Sequence, residues 1–98
     1  MVEPAERGTS EFVAECFWPD VSPEDLRALD EAADAATAAL RKAGKSVRYL
    51  GSLLIREDEV VLCQFDGTPE AVHEAAERAG IPFERILETE RSGPSKEE

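Results

Sequence analysis

Apolar residues recur along the chain with two different periods, and the switches between them mark out its elements. Glu11-Phe12-Val13-Ala14-Glu15-Cys16-Phe17 is rich in β-formers and stops at Pro19-Asp20, which predicts a strand. From Ser22 the period lengthens. Leu26, Leu29, Ala33, Ala36 and Leu40 recur at alternating steps of three and four, a single stripe on a helix of 3.6 residues per turn. Ser22 suits the N-cap, Pro23 the first helical position and Asp25 the acidic place of a capping box. At the other end Arg41 and Lys42 suit the negative pole of the helix dipole. Gly44 can supply the left-handed residue that ends a helix running to about Ala43.

Val47 to Ile55 reads as a second strand and Val60 to Phe65 as a third, joined by the short charged hairpin Arg56-Glu57-Asp58-Glu59. Thr68, Pro69 and Glu70 announce a second helix with Val72, Ala75, Ala76 and Ala79 as its apolar stripe, ended by Gly80 and Pro82. Phe83 to Glu88 is a last, weaker strand. The order strand, helix, strand, strand, helix, strand predicts an α+β, ferredoxin-like βαββαβ domain. Its right-handed crossovers give an antiparallel four-stranded sheet ordered 4-1-3-2, with both helices on one face. The domain is expected over residues 10–90, with residues 1–9 and 91–98 as flexible tails.

A sheet with one face in water should alternate cleanly between apolar and polar residues, and these strands do not. Strict alternation places Val47, Tyr49, Leu53 and Ile55 on one face of the second strand, with Leu50 and Leu54 on the other. In the third strand Val61, Cys63 and Phe65 are opposed by Val60 and Leu62; in the first, Phe12, Ala14 and Cys16 by Val13 and Phe17. Two helices cover one face. The other is expected to pair with a second copy in a two-fold homodimer, sheet to sheet; cover by the tails is the alternative.

Composition narrows the partners further. Eleven Lys+Arg against 22 Asp+Glu leave a net charge of −11, which repels phosphate backbones, so nucleic acid is not an expected partner. No apolar run approaches the ~20 residues of a membrane span, and residues 1–10 carry Glu3, Glu6 and Arg7 with no apolar core of a secretory signal. A cytoplasmic protein without a membrane partner is expected. Cys16 and Cys63, with no CxxC spacing, read as buried thiols in a reducing compartment.

For chemistry the chain offers no Ser/His/Asp order, no HExxH and no phosphate-binding glycine loop. His73, its one histidine, has Glu70 three positions before it and Glu77 four after, a stripe that can hold a divalent ion such as nickel or zinc when other ligands come from elsewhere in a dimer. Glu74 is a further candidate. The alternative is an ordinary solvated helix face. Trp18, Tyr49, Phe65 and Cys63 are candidates to wall an apolar ligand pocket, with core packing as the alternative.

Taken together, Phe12-Val13-Ala14-Glu15-Cys16-Phe17-Trp18-Pro19, Pro23-Glu24-Asp25-Leu26, Val47 to Ser52, Cys63-Gln64-Phe65-Asp66 and Ala75 to Pro82 resemble the small bacterial nickel-binding, ferredoxin-like protein family of actinobacterial type. The resemblance implies a homodimeric, cytoplasmic α+β domain, with nickel sequestration or sensing as its activity. The expected function is therefore a non-enzymatic dimer that binds Ni(2+) or another divalent metal through His73, Glu70 and Glu77. A small-molecule-binding protein or cofactor-free enzyme of the dimeric α+β barrel type is the alternative. It rests on fold analogy and requires an enclosed apolar cavity near Trp18 and Tyr49, faced by Glu15, Cys16 or Cys63. A third reading is a purely structural interaction module that binds neither metal nor ligand.

Overall fold

The signals that start each helix act as expected. Ser22 Oγ accepts from the Asp25 N–H at 3.0 Å while Asp25 Oδ2 accepts from the Ser22 N–H at 3.0 Å, so two otherwise unpaired donors at the helix start are satisfied. Thr68 Oγ1 accepts from the Ala71 N–H at 3.2 Å in the same role. The computed structural model describes residues 9–93. It contains β1 (Ser10–Phe17), α1 (Pro23–Lys42), β2 (Val47–Ile55), β3 (Val60–Gly67), α2 (Pro69–Arg78) and β4 (Arg85–Thr89). Of the expected tails, residues 1–8 and 94–98 lie outside the described residues.

The sheet order is β2-β3-β1-β4 with every pairing antiparallel, the order expected from the sequence read from the opposite edge. Both helices pack on the face that carries Phe12, Ala14, Cys16, Val61, Cys63 and Phe65. Ala33 and Ala36 of α1 and Ala75 and Ala76 of α2 are buried there, and their small side chains let the helices lie close to the strands. Phe65, fully buried, fills the centre. β4 begins two residues later than Phe83. The Phe83 N–H donates to the Ile81 carbonyl at 2.9 Å in a tight turn, and the first bond to β1 comes from the Glu84 N–H to the Glu15 carbonyl at 2.8 Å.

One expectation about strand faces is overturned. Along β2 the register runs Val47↔Gly67, Arg48↔Asp66, Tyr49↔Phe65 and then Gly51↔Gln64, so Leu50 is an extra residue in a β-bulge. Gly51 adopts φ 125°, a conformation that glycine reaches without a Cβ clash. The bulge reverses the phase of everything after it. Ser52 and Leu54, paired with Cys63 and Val61, now face the helices together with Val47 and Tyr49. Leu53 and Ile55, paired with Leu62 and Val60, turn to the open face instead of sharing the Val47 side.

A residue with a Cβ at the bulge tests this directly. Gly51→Val is expected to cost about 1–3 kcal/mol of stability, measured by urea unfolding. An unchanged midpoint would show that the left-handed conformation at position 51 is not required.

Candidate functional site

Both helices lie on one side of the sheet, and the phase change turns Leu53 and Ile55 to the face they leave bare. Phe17, Leu53, Ile55 and Leu87 are exposed there by 54%, 53%, 40% and 37%, values far outside those of core residues of the same types. Val13, Val60 and Leu62 lie among them by register. Charged pairs border this apolar ground: Arg85 Nε donates to Glu15 Oε1 at 2.5 Å and Arg91 Nη2 to Glu11 Oε1 at 2.9 Å. Glu15 therefore lies on the open face, held by Arg85, and does not look into the core.

His73, on the solvent side of α2, has its Nε2 3.2 Å from Glu77 Oε2, with both side chains more than half exposed. Its ring meets the edge of Phe83, centroids 5.5 Å apart, which restrains the imidazole from the sheet side. Glu70 stands exposed in the first turn of α2, and Glu74 is engaged elsewhere, accepting from Lys45 Nζ at 2.8 Å. The structure thus brings His73 and Glu77 together. Among the described residues no three His, Cys, Asp or Glu side chains gather in a way that could hold one ion. One imidazole and one carboxylate fit a nickel or zinc ion as two of the about four to six ligands such ions take.

Of the four aromatic and thiol residues expected around one pocket, Tyr49, Phe65 and Cys63 lie together in or against the core and Trp18 stands apart, so they do not wall one cavity. Phe65 and Cys63 are fully buried in the core. Tyr49 packs against Phe65, ring centroids 5.1 Å apart, and its hydroxyl donates to Asp30 Oδ1 at 2.5 Å. Ser52 Oγ donates to the same oxygen at 2.9 Å. Burial and this bond to Asp30 push the Tyr49 hydroxyl far above its ordinary pKa. Asp30 is thus a residue that sequence reasoning missed: under strict alternation Tyr49 and Ser52 point to opposite faces, and only the bulge lets both reach one carboxylate of α1. An isolated glycine within a strand was the signal available. The thiols of Cys16 and Cys63 are free and buried on neighbouring strands. The hydrogen bond that Cys63 shares with Cys16, together with burial, holds the Cys63 thiol far above the usual range, so at neutral pH it is an unreactive thiol.

Trp18 stands at the sheet's other end in an open cleft of about 370 Å³, lined also by Asp20, Val21, Leu54, Arg56 and Glu59. A separate surface groove of about 360 Å³ runs past Tyr49 along α1. Among the described residues two that are not glycine take a left-handed backbone, Asp20 at φ 60° and Glu59 at φ 57°, and both border the Trp18 cleft. Asp enters that region readily in turns, and Glu59 bears a cost of roughly 1–2 kcal/mol.

These features define a ferredoxin-like α+β domain with one bare apolar sheet face and an exposed His–Glu pair on its outer helix. The chain belongs to the SCO4226-like family of nickel responsive proteins, whose family model matches residues 12–89. It is also similar to the crystal structure of SCO4226 from Streptomyces coelicolor A3(2), with a TM-score of 0.62 and 22% sequence identity over 86% of this chain and 100% of that one. At that identity the likeness is one of fold. No curated protein matches the chain, and among the described residues no helix is long and apolar enough to cross a membrane.

The Lys45–Glu74 contact gives a pH-dependent signature. The Lys45 ammonium holds the Glu74 carboxyl below the ordinary carboxylate range, so whatever the pair contributes is present above that range and fades as pH falls through the lowered value. Lys45→Ala should move the Glu74 titration midpoint upward toward that of a free glutamate, followed by carboxyl carbon NMR. Salt should shrink the shift in the parent protein, because both groups are exposed.

Proposed function

We propose that this protein is a non-enzymatic homodimer that takes up nickel or a similar divalent ion, in metal homeostasis or sensing within the cytoplasm. The observation that carries the metal reading is the His73 Nε2 to Glu77 Oε2 approach of 3.2 Å in a chain of a nickel responsive family. Both donors suit a borderline ion. Their exposure means that the remaining ligand positions are open to water, and such a site exchanges its ion readily.

Support for the dimer comes from the bare face. Removing the half-exposed Phe17, Leu53, Ile55 and Leu87 from water at roughly 0.5–1.5 kcal/mol each offsets part of the cost of association. Sheets stacked in this way lie ~10 Å apart and put both helical layers outside. The two His73 side chains of such a dimer are then remote from each other. Each protomer would hold its own ion, in contrast to an ion shared across the interface.

Calorimetric titration with nickel and zinc chloride tests the metal reading. The parent protein is expected to give a saturable heat that His73→Ala loses, and equal heats from the two proteins would remove His73 from the site. Sedimentation analysis tests the interface: Leu53→Glu should convert a dimer to a monomer without unfolding it, since residue 53 already faces solvent in the single chain. A parent protein that stays monomeric at high micromolar concentration would refute the paired sheets.

A further inference from the structure

The His73 side chain is more than half exposed, and exposure ordinarily leaves an imidazole free to turn. Rotation about its Cβ–Cγ bond has a broad, roughly two-fold preference, and half a turn brings Cε1 to the place of Nε2. Here one neighbour restricts the ring. Phe83 lies ten residues later, in the connection from α2 to β4. Its ring meets the imidazole with centroids 5.5 Å apart and planes at 72°, within the range of edge-to-face aromatic pairs. In that orientation Nε2 stands 3.2 Å from Glu77 Oε2.

Phe83 serves as a fixed wall because its own place is set from several sides. Gly80, at φ 74°, donates its N–H to the Glu77 carbonyl at 3.0 Å, and the Ile81 N–H donates to the Ala76 carbonyl at 3.1 Å. This pair of bonds closes the helix end around a left-handed glycine and turns the chain back along α2. Ile81 is buried at the turn. The Phe83 N–H then donates to the Ile81 carbonyl at 2.9 Å and the Glu84 N–H to the Glu15 carbonyl at 2.8 Å, so residue 83 is pinned between the helix end and β1. Its side chain is half-buried and packs against the core. Glu77 supplies both the carboxylate beside the imidazole and a carbonyl of the turn, so the pair and its wall belong to one rigid piece of chain.

We infer that Phe83 is the positioning residue of the metal pair: its ring holds the His73 imidazole with Nε2 turned to Glu77 before an ion arrives, and so raises affinity for the ion. The effect on affinity rests on the metal reading, whereas the hold on the ring rests on the aromatic contact alone. Phe83 has no donor atom in its side chain and acts only through His73. A ligand side chain that is already ordered loses less freedom on binding, which is a factor of about three to ten in affinity.

Phe83→Leu keeps an apolar side chain against the core and removes the ring. In the metal-free protein it should move the His73 ring-proton resonances toward those of an unstructured histidine and average the His73 side-chain couplings, both read by NMR. In titration with nickel chloride its affinity should fall about threefold to tenfold. Phe83→Tyr restores a ring and should keep the parent couplings and affinity. Ile81→Val loosens the core at the same turn and should also keep them, which separates loss of the wall from general loosening. Averaged couplings in the parent overturn the proposal, as do parent-like couplings and affinity in Phe83→Leu or an equal loss of affinity in Ile81→Val. If the parent takes up no nickel, the metal reading and the effect on affinity fall together; fixed couplings in the parent that Phe83→Leu averages would still establish the hold on the ring.

Discussion

The extra residue in β2 governs more of this molecule than any single side chain. By inserting Leu50 opposite no partner, and by relying on Gly51 to take a positive φ, the chain rotates the last part of the strand by one step of the pleat. Two consequences follow from that rotation. Tyr49 and Ser52 come to the same side and both bond Asp30, which ties α1 to the sheet edge. Leu53 and Ile55 leave the core side and join Phe17 and Leu87 on the uncovered face. A polar latch and an apolar patch thus arise from one local irregularity.

The layering that results separates three kinds of surface. The bare sheet face would suit a second copy because it is broad and apolar, with ion pairs such as Glu15–Arg85 beside it that fit the solvated rim of an interface. The outer face of α2, on the other side of the sheet from the bare face, carries an imidazole and a carboxylate suited to a metal ion. The hairpin end of the sheet places Asp20, Arg56 and Glu59 around the indole of Trp18. Because these surfaces lie on different layers, each can be altered without disturbing the others, and a core that includes small alanines and two buried thiols keeps the layers in register.

Much of the fold was legible in the amino-acid order. The helix starts at Ser22 and Thr68, the alanine-rich stripes of α1 and α2, and the charged turn between Arg56 and Glu59 are local signals, and local backbone and capping energies decide them. The topology followed, because a βαββαβ order with right-handed crossovers leaves few arrangements of four strands. His73 and Glu77 were also legible, since a spacing of four on a helix fixes their approach without help from the rest of the chain.

What only the tertiary structure decided is the phase of β2 and everything that depends on it. A glycine inside a strand allows a bulge but does not place it; the placement depends on hydrogen bonding to β3 and on which register buries the larger apolar area, and both involve residues distant in sequence. For the same reason Asp30 could not be recognised as the partner of Tyr49 and Ser52, nor Trp18 separated from Tyr49. The sequence by itself determined elements and their order, because those energies act within a few residues; the folded sheet determined which faces those elements present, because pairing and burial act between strands.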